Sequence, residues 1–503
     1  MDSGAEKAKA AILADLANFQ SHAVADYCLE RLAIPAEPGL ESARLMPWVP
    51  ALLLKWVYAS EDFQDVYREA PTVADVDRMM QAVWDLQKFQ LPSSFSPPSQ
   101  FLRCIAFQQF YYQEGFSQTD YARQFILFGQ LQEQDGLCRL FQAHAGISLS
   151  DHMDLSYSTL VMLLGYPELA RFTIRFFAPF IRHYGASTVH RFLANMSGDR
   201  PRLAAHFAST RQLQPQQEQF EQSPFLGMPL VRWNQFYRVV HRAILGRHLE
   251  HVVYDTFKRI DPSLFMNRFG SIFQSYVRRC LSYSGAPFVE DNAIKRVLGD
   301  GPKQVDFVVR QETDACVLID AKGVELAAIA QTATDNDLVY RGSKAIIGGI
   351  EQGLATAQLI EDRDLRDPVL SCAKEYFLII VTFKEMFLRN GSYYAEAIAS
   401  DSVRRRYEKF PDSSKLPPEN IYFLCIYDLE LLAELVQRGL TTFAAALRFA
   451  RNDDRGPPET RKAVFRQHLH AHFPDDLQYP QFVLDAIDGP SERLEAAFDQ
   501  RFA

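Results

Sequence analysis

Two aspartates and a lysine interrupt a strongly apolar stretch, residues 303–323 (KQVDFVVRQETDACVLIDAKG). Asp306 lies within a run that favours burial, where a charged side chain is costly to desolvate unless it is paired or binds a metal. Asp320 and Lys322 are two residues apart, so on a β-strand they project from the same face. Carboxylates bind hard divalent cations, which polarise a phosphoryl group and activate water, while a lysine offsets developing charge. The three residues therefore suit metal-assisted hydrolysis of a phosphodiester.

The elements that must position these residues are short strands mixed with helices. Their apolar runs and spacing predict strands at 305–310, 315–320, 376–382 and 421–426, and helices at 263–281, 343–360 and 429–440. A polar turn at 311–314 joins the first two strands. This alternation predicts an α/β domain with a mixed sheet flanked by helices.

The pattern resembles the PD-(D/E)XK nuclease superfamily, whose signature on a β-hairpin is Asp, a spacer, then Asp or Glu, any residue, and Lys. Asp306, Asp320 and Lys322 match that signature residue by residue. The helical segment 268–277 is similar to the family's opening helix. The resemblance implies a restriction-endonuclease-like fold for roughly residues 255–440.

The segment 343–353 resembles the helix that follows the catalytic hairpin in this family and often carries a glutamine toward the site. Here that glutamine is Gln352. The resemblance implies a catalytic set formed by Asp306, Asp320, Lys322 and Gln352. An end cap or a solvent-facing position is the simpler alternative for Gln352.

The resemblance also implies Mg²⁺ or Mn²⁺ as cofactor. The acid of the family's opening helix would fall at Gln274, which cannot supply charge. Either Asp306, Asp320 and the main-chain carbonyl of Ala321 hold the metal, or Glu290 substitutes for the missing acid. The competing interpretation of the acids and the lysine is a structural ion pair at a strand end.

Three other patterns place histidines or arginines at regular spacing. They are the alternate histidines His468, His470 and His472, the segment 242–248 (RAILGRH) that loosely fits the arginine–histidine spacing of HEPN-type ribonucleases, and the basic stripe of Arg171, Arg175 and Arg182. Helices splay residues that are two apart, and an exposed helical face explains the basic residues. These three patterns indicate a functional site less strongly than the acids and the lysine at 303–323 do.

The composition is that of a globular chain with more than one domain. The sequence has 503 residues, 48% hydrophobic and 23% charged, which excludes a mostly disordered chain. The formal net charge of −9 requires any nucleic-acid contact to use a local basic surface. Seven scattered cysteines without a CxxC pair fit a reducing compartment.

The changes in pattern along the chain predict three parts. Residues 1–245 are predicted as an all-helical sensor or regulatory domain with a break at 91–100, and a Gln- and Pro-rich connector follows at 211–229. Residues 250–450 are predicted as the nuclease-like domain and 459–503 as a helical tail.

The sequence predicts a cytoplasmic protein without a membrane partner. Its first residues lack the build of a signal peptide, and its apolar runs are far shorter than the roughly 20 residues that span a bilayer. The expected activity is metal-dependent cleavage of nucleic acid, either DNA or RNA. The alternatives are a ribonuclease acting on tRNA and a degenerate nuclease fold that serves as an interaction scaffold.

A nuclease joined to a large helical region also resembles bacterial anti-phage effectors. That resemblance implies a toxic nuclease, a helical half that senses a trigger, and a phage protein as the candidate trigger. The pattern leaves the oligomeric state open.

Overall fold

The chain divides into two units, Met1–Pro262 with Asp485–Ala503 (unit 1) and Ser263–Leu484 (unit 2). This computed structural model describes residues 4–34, 46–60, 67–90, 98–113, 115–209, 215–299, 302–333, 335–363, 367–413 and 415–499. The predicted break at 91–100 and the connector at 211–229 are therefore covered only in part, because 91–97 and 211–214 lie outside the described residues.

Helices form most of unit 1. Before the boundary with unit 2 they are α1 Gly4–Leu16, α2 Ser21–Ala33, α3 Trp48–Ala59, α4 Val73–Asp85, α5 Gln87–Gln90, α6 Pro98–Ile105, α7 Tyr111–Gln113, α8 Gln118–Phe128, α9 Gly136–Ala145, α10 Leu149–Gly165, α11 Ala178–Tyr184, α12 Ala186–Met196, α13 Arg200–Ser209 and α14 Arg242–Ile260. The sequence explains α4 directly. Thr72 and Asp75 form a capping box at its start, and Val76, Met79 and Val83 bury one face at helical spacing.

Unit 1 also contains a four-stranded sheet, which corrects the prediction of an all-helical first half. The strands are β1 Arg171–Thr173, β2 Ser197–Gly198, β3 Leu230–Trp233 and β4 Phe236–Val239, in the order β1-β4-β3-β2. The turn between β3 and β4 has Asn234 at a φ of 53°, a left-handed conformation that asparagine tolerates. Strands of two to four residues have too little length to show a period in sequence, and their pairing joins distant segments.

The predicted strands of unit 2 all form, within one five-stranded mixed sheet. The strands are β5 Phe288–Glu290, β6 Phe307–Val309, β7 Ala315–Lys322, β8 Glu375–Thr382 and β9 Ile421–Cys425, and they lie side by side in chain order. β5, β6 and β7 pair antiparallel, whereas β7, β8 and β9 are parallel. The continuous apolar runs of β7 and β8 are buried on both faces, as expected of central parallel strands.

Helices connect and cover this sheet. They are α15 Pro262–Ser284, α16 Asp291–Leu298, α17 Ala328–Gln331, α18 Asn336–Gly342, α19 Lys344–Arg363, α20 Gly391–Tyr393, α21 Ser400–Lys409, α22 Ile426–Gln437, α23 Phe443–Arg455, α24 Phe465–His472 and α25 Gln481–Leu484. Of these, α19 packs on β7 and β8, and it forms the crossover between these parallel strands.

Three helices form within the described part of the predicted tail, residues 459–499, but these residues belong to two different units. α24 and α25 are part of unit 2, whereas the last helix, α26 Asp488–Asp499, belongs to unit 1. Arg493 on α26 donates through Nε and Nη2 to the carboxylate of Asp154, at 2.7 Å each, and Ser491 Oγ lies 2.7 Å from the hydroxyl of Tyr157. These polar contacts attach α26 to α10 and could not be read from a local pattern.

Across the part of the chain that the structure describes, no helix is both long enough and apolar enough to cross a membrane.

Candidate functional site

The residues that interrupt the apolar strands meet at one edge of the sheet in unit 2. Antiparallel pairing of β6 with β7 places Phe307 opposite Ile319. The same register places Asp306, just before β6, opposite Asp320. Lys322 ends β7 and shares a face with Asp320, because the two are separated by one residue. The structure thus brings Asp306, Asp320 and Lys322 together.

Asp320 is a completely buried carboxylate, with 0% of its surface exposed. Lys322 Nζ lies 2.7 Å from its Oδ2 as an ion pair. That contact lacks hydrogen-bond geometry, and with Asp306 ionised neither oxygen of Asp320 accepts a hydrogen bond from a described residue. A proton on Asp306 would be shared with Asp320. A buried carboxylate without hydrogen bonds is costly, and a bound cation would satisfy its oxygens.

Asp306 is held by two donors on different elements. Its Oδ1 accepts from Gln274 Nε2 on α15 at 3.1 Å, and its Oδ2 accepts from the main-chain N–H of Ala321 at 2.8 Å. Burial, and then repulsion by Asp320, raises the pKa of Asp306 to about 6, against the opposing effects of the Ala321 hydrogen bond and of Lys322. The carboxyl group therefore titrates close to neutral pH.

The charges of the site do not balance. With both aspartates ionised, two carboxylates face one ammonium in surroundings that exclude most water. A proton on Asp306 or a bound cation would remove the excess charge. Because the side chains that could bind a metal here, Asp306 and Asp320, supply hard carboxylate oxygens, the site fits Mg²⁺ or Mn²⁺.

Ala321 contributes only main-chain atoms to the site. Its N–H points toward Asp306. The N–H and C=O of one strand residue point to the same neighbouring strand, so the Ala321 carbonyl is also directed to the side of Asp306. This direction is compatible with the ligand set predicted from the sequence.

A buried hydrogen-bonded chain links Lys322 to α19. Lys322 Nζ donates to Gln352 Oε1 at 2.5 Å, and Gln352 Nε2 donates to the carbonyl of Gln304 at 2.7 Å. Thr356, one turn further along α19, accepts from the N–H of Val305 at 3.1 Å. Gln352 is only 4% exposed. It therefore holds the ammonium of Lys322 and the segment before Asp306 on one helix.

The close approach of α19 to the sheet depends on Gly349. A Cβ atom at this position would lie 2.7 Å from Asp320 Oδ2 and 2.8 Å from Ile380 Cδ1, closer than such atoms approach in proteins. The helix can pack over the carboxylate only because this residue has no side chain.

Replacing Gln352 with leucine is expected to lower the free energy of unfolding by about 1–3 kcal/mol, because Lys322 Nζ and the Gln304 carbonyl each lose a buried partner. Urea unfolding in EDTA measures the change. Gln358→Leu is the matched control, since Gln358 lies on the same helix and its Oε1 accepts no hydrogen bond from the residues described. Equal losses in both variants would contradict the role of the Gln352 contact.

Glu290 lies apart from these residues. It ends β5 opposite Phe307, so the register directs it to the sheet face opposite that of Asp320. Its Oε2 is 3.3 Å from Arg278 Nε, and its side chain is 42% exposed. The structure does not bring Glu290 to the two aspartates, and the side chain of α15 that contacts Asp306 is Gln274, a hydrogen-bond donor.

A second polar cluster at the same sheet edge has no counterpart in the sequence patterns. Oxygens of Glu385 and Asp428 and the Sγ of Cys425 lie within 4.8 Å of one another. Cys425 is in register with Thr382, which is in register with Lys322, so the cluster lies two strands, roughly 10 Å, from Lys322.

Burial dominates the electrostatics of this second cluster. Burial, followed by repulsion from Asp428, raises the pKa of Glu385 to about 7, and burial raises the pKa of Asp428 to about 6 against the attraction of Arg466. Cys425 and Asp428 adjoin the end of β9, which is a local signal. Glu385 follows β8, about forty residues earlier in the chain than Cys425. The folding of the sheet is therefore what brings Glu385 close to Cys425 and Asp428.

Two of the alternate histidines, His468 and His472, share contacts with Asp453, and His468 also lies 3.6 Å from Asp454 Oδ2 through its Nε2. His468 Nδ1 lies 2.8 Å from Asp453 Oδ2, and His472 Nε2 lies 3.1 Å from the same oxygen. The two histidines are one helical turn apart on α24, whereas His470 between them is exposed. These residues thus form a hydrogen-bonded helix contact.

Arg242 and His248 occupy different surroundings on α14. The Arg242 guanidinium stacks over the ring of Phe116, 5.5 Å from its centroid, while His248 is buried with Nδ1 2.8 Å from the carbonyl oxygen of Leu226. The described contacts do not bring this pair together as a ribonuclease motif would require.

The predicted basic stripe does not lie on one helix. Arg171 is on β1, Arg175 is in the 3₁₀ turn Ile174–Phe177, and Arg182 is on α11. The strand and the turn interrupt the helical period on which that prediction was based.

Searches of protein-family models, curated proteins and solved structures return no match for this chain. The geometry of the site therefore carries the functional argument.

Proposed function

We propose that this chain is a divalent-metal-dependent nuclease that hydrolyses phosphodiester bonds in DNA or RNA. One observation carries the proposal. Asp320 is fully buried beside a second carboxylate and an ammonium group, and with both carboxylates ionised its oxygens accept no hydrogen bond from the described residues. This arrangement has an excess of negative charge that a cation would balance.

Each residue has a role that follows from its contacts. Asp306 and Asp320, with the Ala321 carbonyl, would hold Mg²⁺ or Mn²⁺, which when bound polarises a phosphoryl group and lowers the pKa of water. Lys322 keeps its ammonium beside Asp320 with 15% of its side chain exposed, where it can offset charge that develops on a phosphoryl oxygen. Gln352 orients that ammonium.

The order of elements around the site also supports a PD-(D/E)XK-like nuclease fold. An opening helix, α15, is followed by antiparallel strands that carry the acids and the lysine, and then by α19 and a parallel strand. The glutamine of α19 contacts the lysine of the hairpin. The sequence resemblance implies this same order.

A degenerate fold used as a scaffold is the competing function, and Gln274 is the observation that favours it. The amide of Gln274 replaces an acid and removes one metal ligand from the family pattern. However, it donates to Asp306 Oδ1 at 3.1 Å, and a donor stabilises the ionised carboxylate that a metal requires. The amide is therefore compatible with a metal held by fewer side chains.

Incubation of the purified protein with plasmid, single-stranded DNA and total tRNA tests the proposal. We expect cleavage of at least one of these substrates with Mn²⁺ or Mg²⁺ and none in EDTA. Cleavage that survives EDTA would instead favour a metal-independent ribonuclease. The absence of both cleavage and metal-induced stabilisation would favour the scaffold.

We extend the proposal to an anti-phage role in which unit 1 senses a trigger, with a phage protein as the candidate. The formal net charge of −9 supports this extension, because it disfavours indiscriminate binding of nucleic acid by an idle nuclease. The division of the chain into two compact units supplies a part separate from the candidate site.

Preferential cleavage of tRNA over both DNA substrates would identify the ribonuclease alternative.

A further inference from the structure

A cavity of about 290 Å³ lies wholly within unit 1. Residues of α9, α10, α12, α13 and α14 and of the segment before β3 line it. Its volume is near the lower end of the range for sites that hold small molecules. A protein loop or a nucleic-acid strand would not fit, so any occupant is a small molecule distinct from the substrate proposed above.

Cationic groups converge at the mouth of this cavity. Arg202 and Arg259 line it, and both are open to solvent in part. Burial and then repulsion by Arg202 lower the pKa of Arg259, against the attraction of Asp255. Asp255 is the one acidic side chain in the lining, so the described lining carries a formal charge of +1 with its histidines neutral. Two guanidinium groups at one opening are suited to a phosphate, which each can bind through two N–H groups.

Two buried histidines supply hydrogen-bonding groups to the interior of the cavity. His152 is 2% exposed, and both of its ring nitrogens lack a hydrogen-bond partner among the described residues. His248 is 7% exposed, and its Nε2 likewise has no such partner, although its Nδ1 contacts the Leu226 carbonyl. Buried polar nitrogens without partners are rare in folded proteins, and a ligand would satisfy them.

Burial is the main reason that the histidines of the cavity favour the neutral form, and Arg259 adds to the effect. Burial, opposed by the Leu226 contact but assisted by Arg259, lowers the pKa of His248 to about 4. Burial and then Arg259 also lower the pKa of His144 at the rim. An anion bound near Arg202 and Arg259 would offset the repulsion between these cations and the histidines, although Asp255 opposes it.

The rest of the lining is apolar. Phe141, Leu226 and Val252 border the cavity, and the Phe141 ring meets His152 edge-on at 5.0 Å between centroids. Such walls suit a flat ring, while the histidine nitrogens suit its polar edge.

We propose that this cavity binds a nucleoside monophosphate, with the phosphate between Arg202 and Arg259 and the base against Phe141 and the buried histidines. The inference concerns unit 1 alone and does not depend on the proposed nuclease activity.

Thermal unfolding and calorimetric titration of the full chain with AMP test this inference. At ten times its Kd, AMP is expected to raise the Tm of unit 1 by about 2 °C. Arg259→Gln and Arg202→Gln should each weaken AMP binding by about tenfold or more, because each removes a charge-assisted contact to the phosphate. Because Arg202 also donates to the main-chain carbonyl of Ala194 and Arg259 is partly buried, an unchanged Tm without AMP must accompany the loss of binding in each variant.

Arg182→Gln is the control, since Arg182 is equally exposed in unit 1 but does not line the cavity. It should bind AMP like the parent. Adenosine and inorganic phosphate are the control ligands, and each should bind more weakly than AMP. Failure to bind AMP below about 1 mM, equal binding of adenosine or of phosphate, or an equal loss in Arg182→Gln would overturn the proposal.

Discussion

Replacing Asp320 with alanine is expected to lower metal-dependent cleavage by about a thousandfold or more, because charge stabilisation by a metal is worth several kcal/mol and about 1.4 kcal/mol is a tenfold change. Asp320 is the fully buried member of the site and has no compensating hydrogen bond within the described chain. Lys322→Ala should lose about a hundredfold, the scale for one electrostatic contact to the transition state. Single-turnover rates in Mn²⁺ measure both losses.

Glu290→Gln is the matched control for these variants. It also neutralises a carboxylate at a strand end of the same sheet, but its side chain is exposed and pairs with Arg278. We expect near-parental cleavage from this variant, with a far-ultraviolet spectrum unchanged in all three. Parental activity in both Asp320→Ala and Lys322→Ala would sink the nuclease assignment, and a large loss in Glu290→Gln would restore that residue as a metal ligand.

Replacing Asp306 with asparagine is expected to abolish stabilisation by metal without lowering stability in EDTA. At 100 times its Kd, a metal should raise the Tm of unit 2 in the parent by about 5 °C or more, and in the variant by almost nothing. Without metal, Asp306 and Asp320 repel each other, so removal of one charge relieves that repulsion. The amide can still accept from Ala321 N–H, and Gln274 can reverse its own amide to keep its contact.

The pH dependence of stability gives this prediction a second readout. In the folded protein the pKa of Asp306 is raised from 3.8 to about 6, so the folded state holds this proton more tightly than the unfolded chain. Stability in EDTA should therefore fall as pH rises through this window, by on the order of 3 kcal/mol from this group. Metal binding displaces the proton, so metal-induced stabilisation should grow over the same range.

Glu385 and Asp428 also have raised pKa values, so they contribute to the same pH dependence. The contribution of Asp306 is therefore taken as the difference in unfolding free energy between the parent and Asp306→Asn at each pH. The variant should show a shallower decline with pH than the parent. A large loss of stability in EDTA, or an unchanged pH slope, would instead favour a structural ion pair at the strand end.

The strands of unit 2 could be predicted from local pattern because their signal is local. The segments that become β7 and β8 are continuous apolar runs of strand length bounded by polar residues, and burial of both faces requires such runs. The same holds for α4, where apolar spacing and a capping box specify the element without help from distant residues.

The small sheet of unit 1 was missed for the opposite reason. Its strands contain few residues, and β1 pairs with β4 across more than sixty residues of chain. The division of the predicted tail is similar, since α26 joins unit 1 through Arg493 and Asp154, which are far apart in sequence. Pairing of this kind depends on tertiary packing, which a local period does not encode.

By itself, the sequence determined that two acids and a lysine interrupt apolar strands, and strand alternation then requires Asp320 and Lys322 to share a face. Only the tertiary structure decided that Asp320 is fully buried with no amide or hydroxyl donor among the described residues, that Gln352 holds Lys322, and that Glu290 lies on the other face. The physical reason is that side-chain direction along a strand is a local property. Burial, register and the partners of each polar atom arise when distant segments pack together.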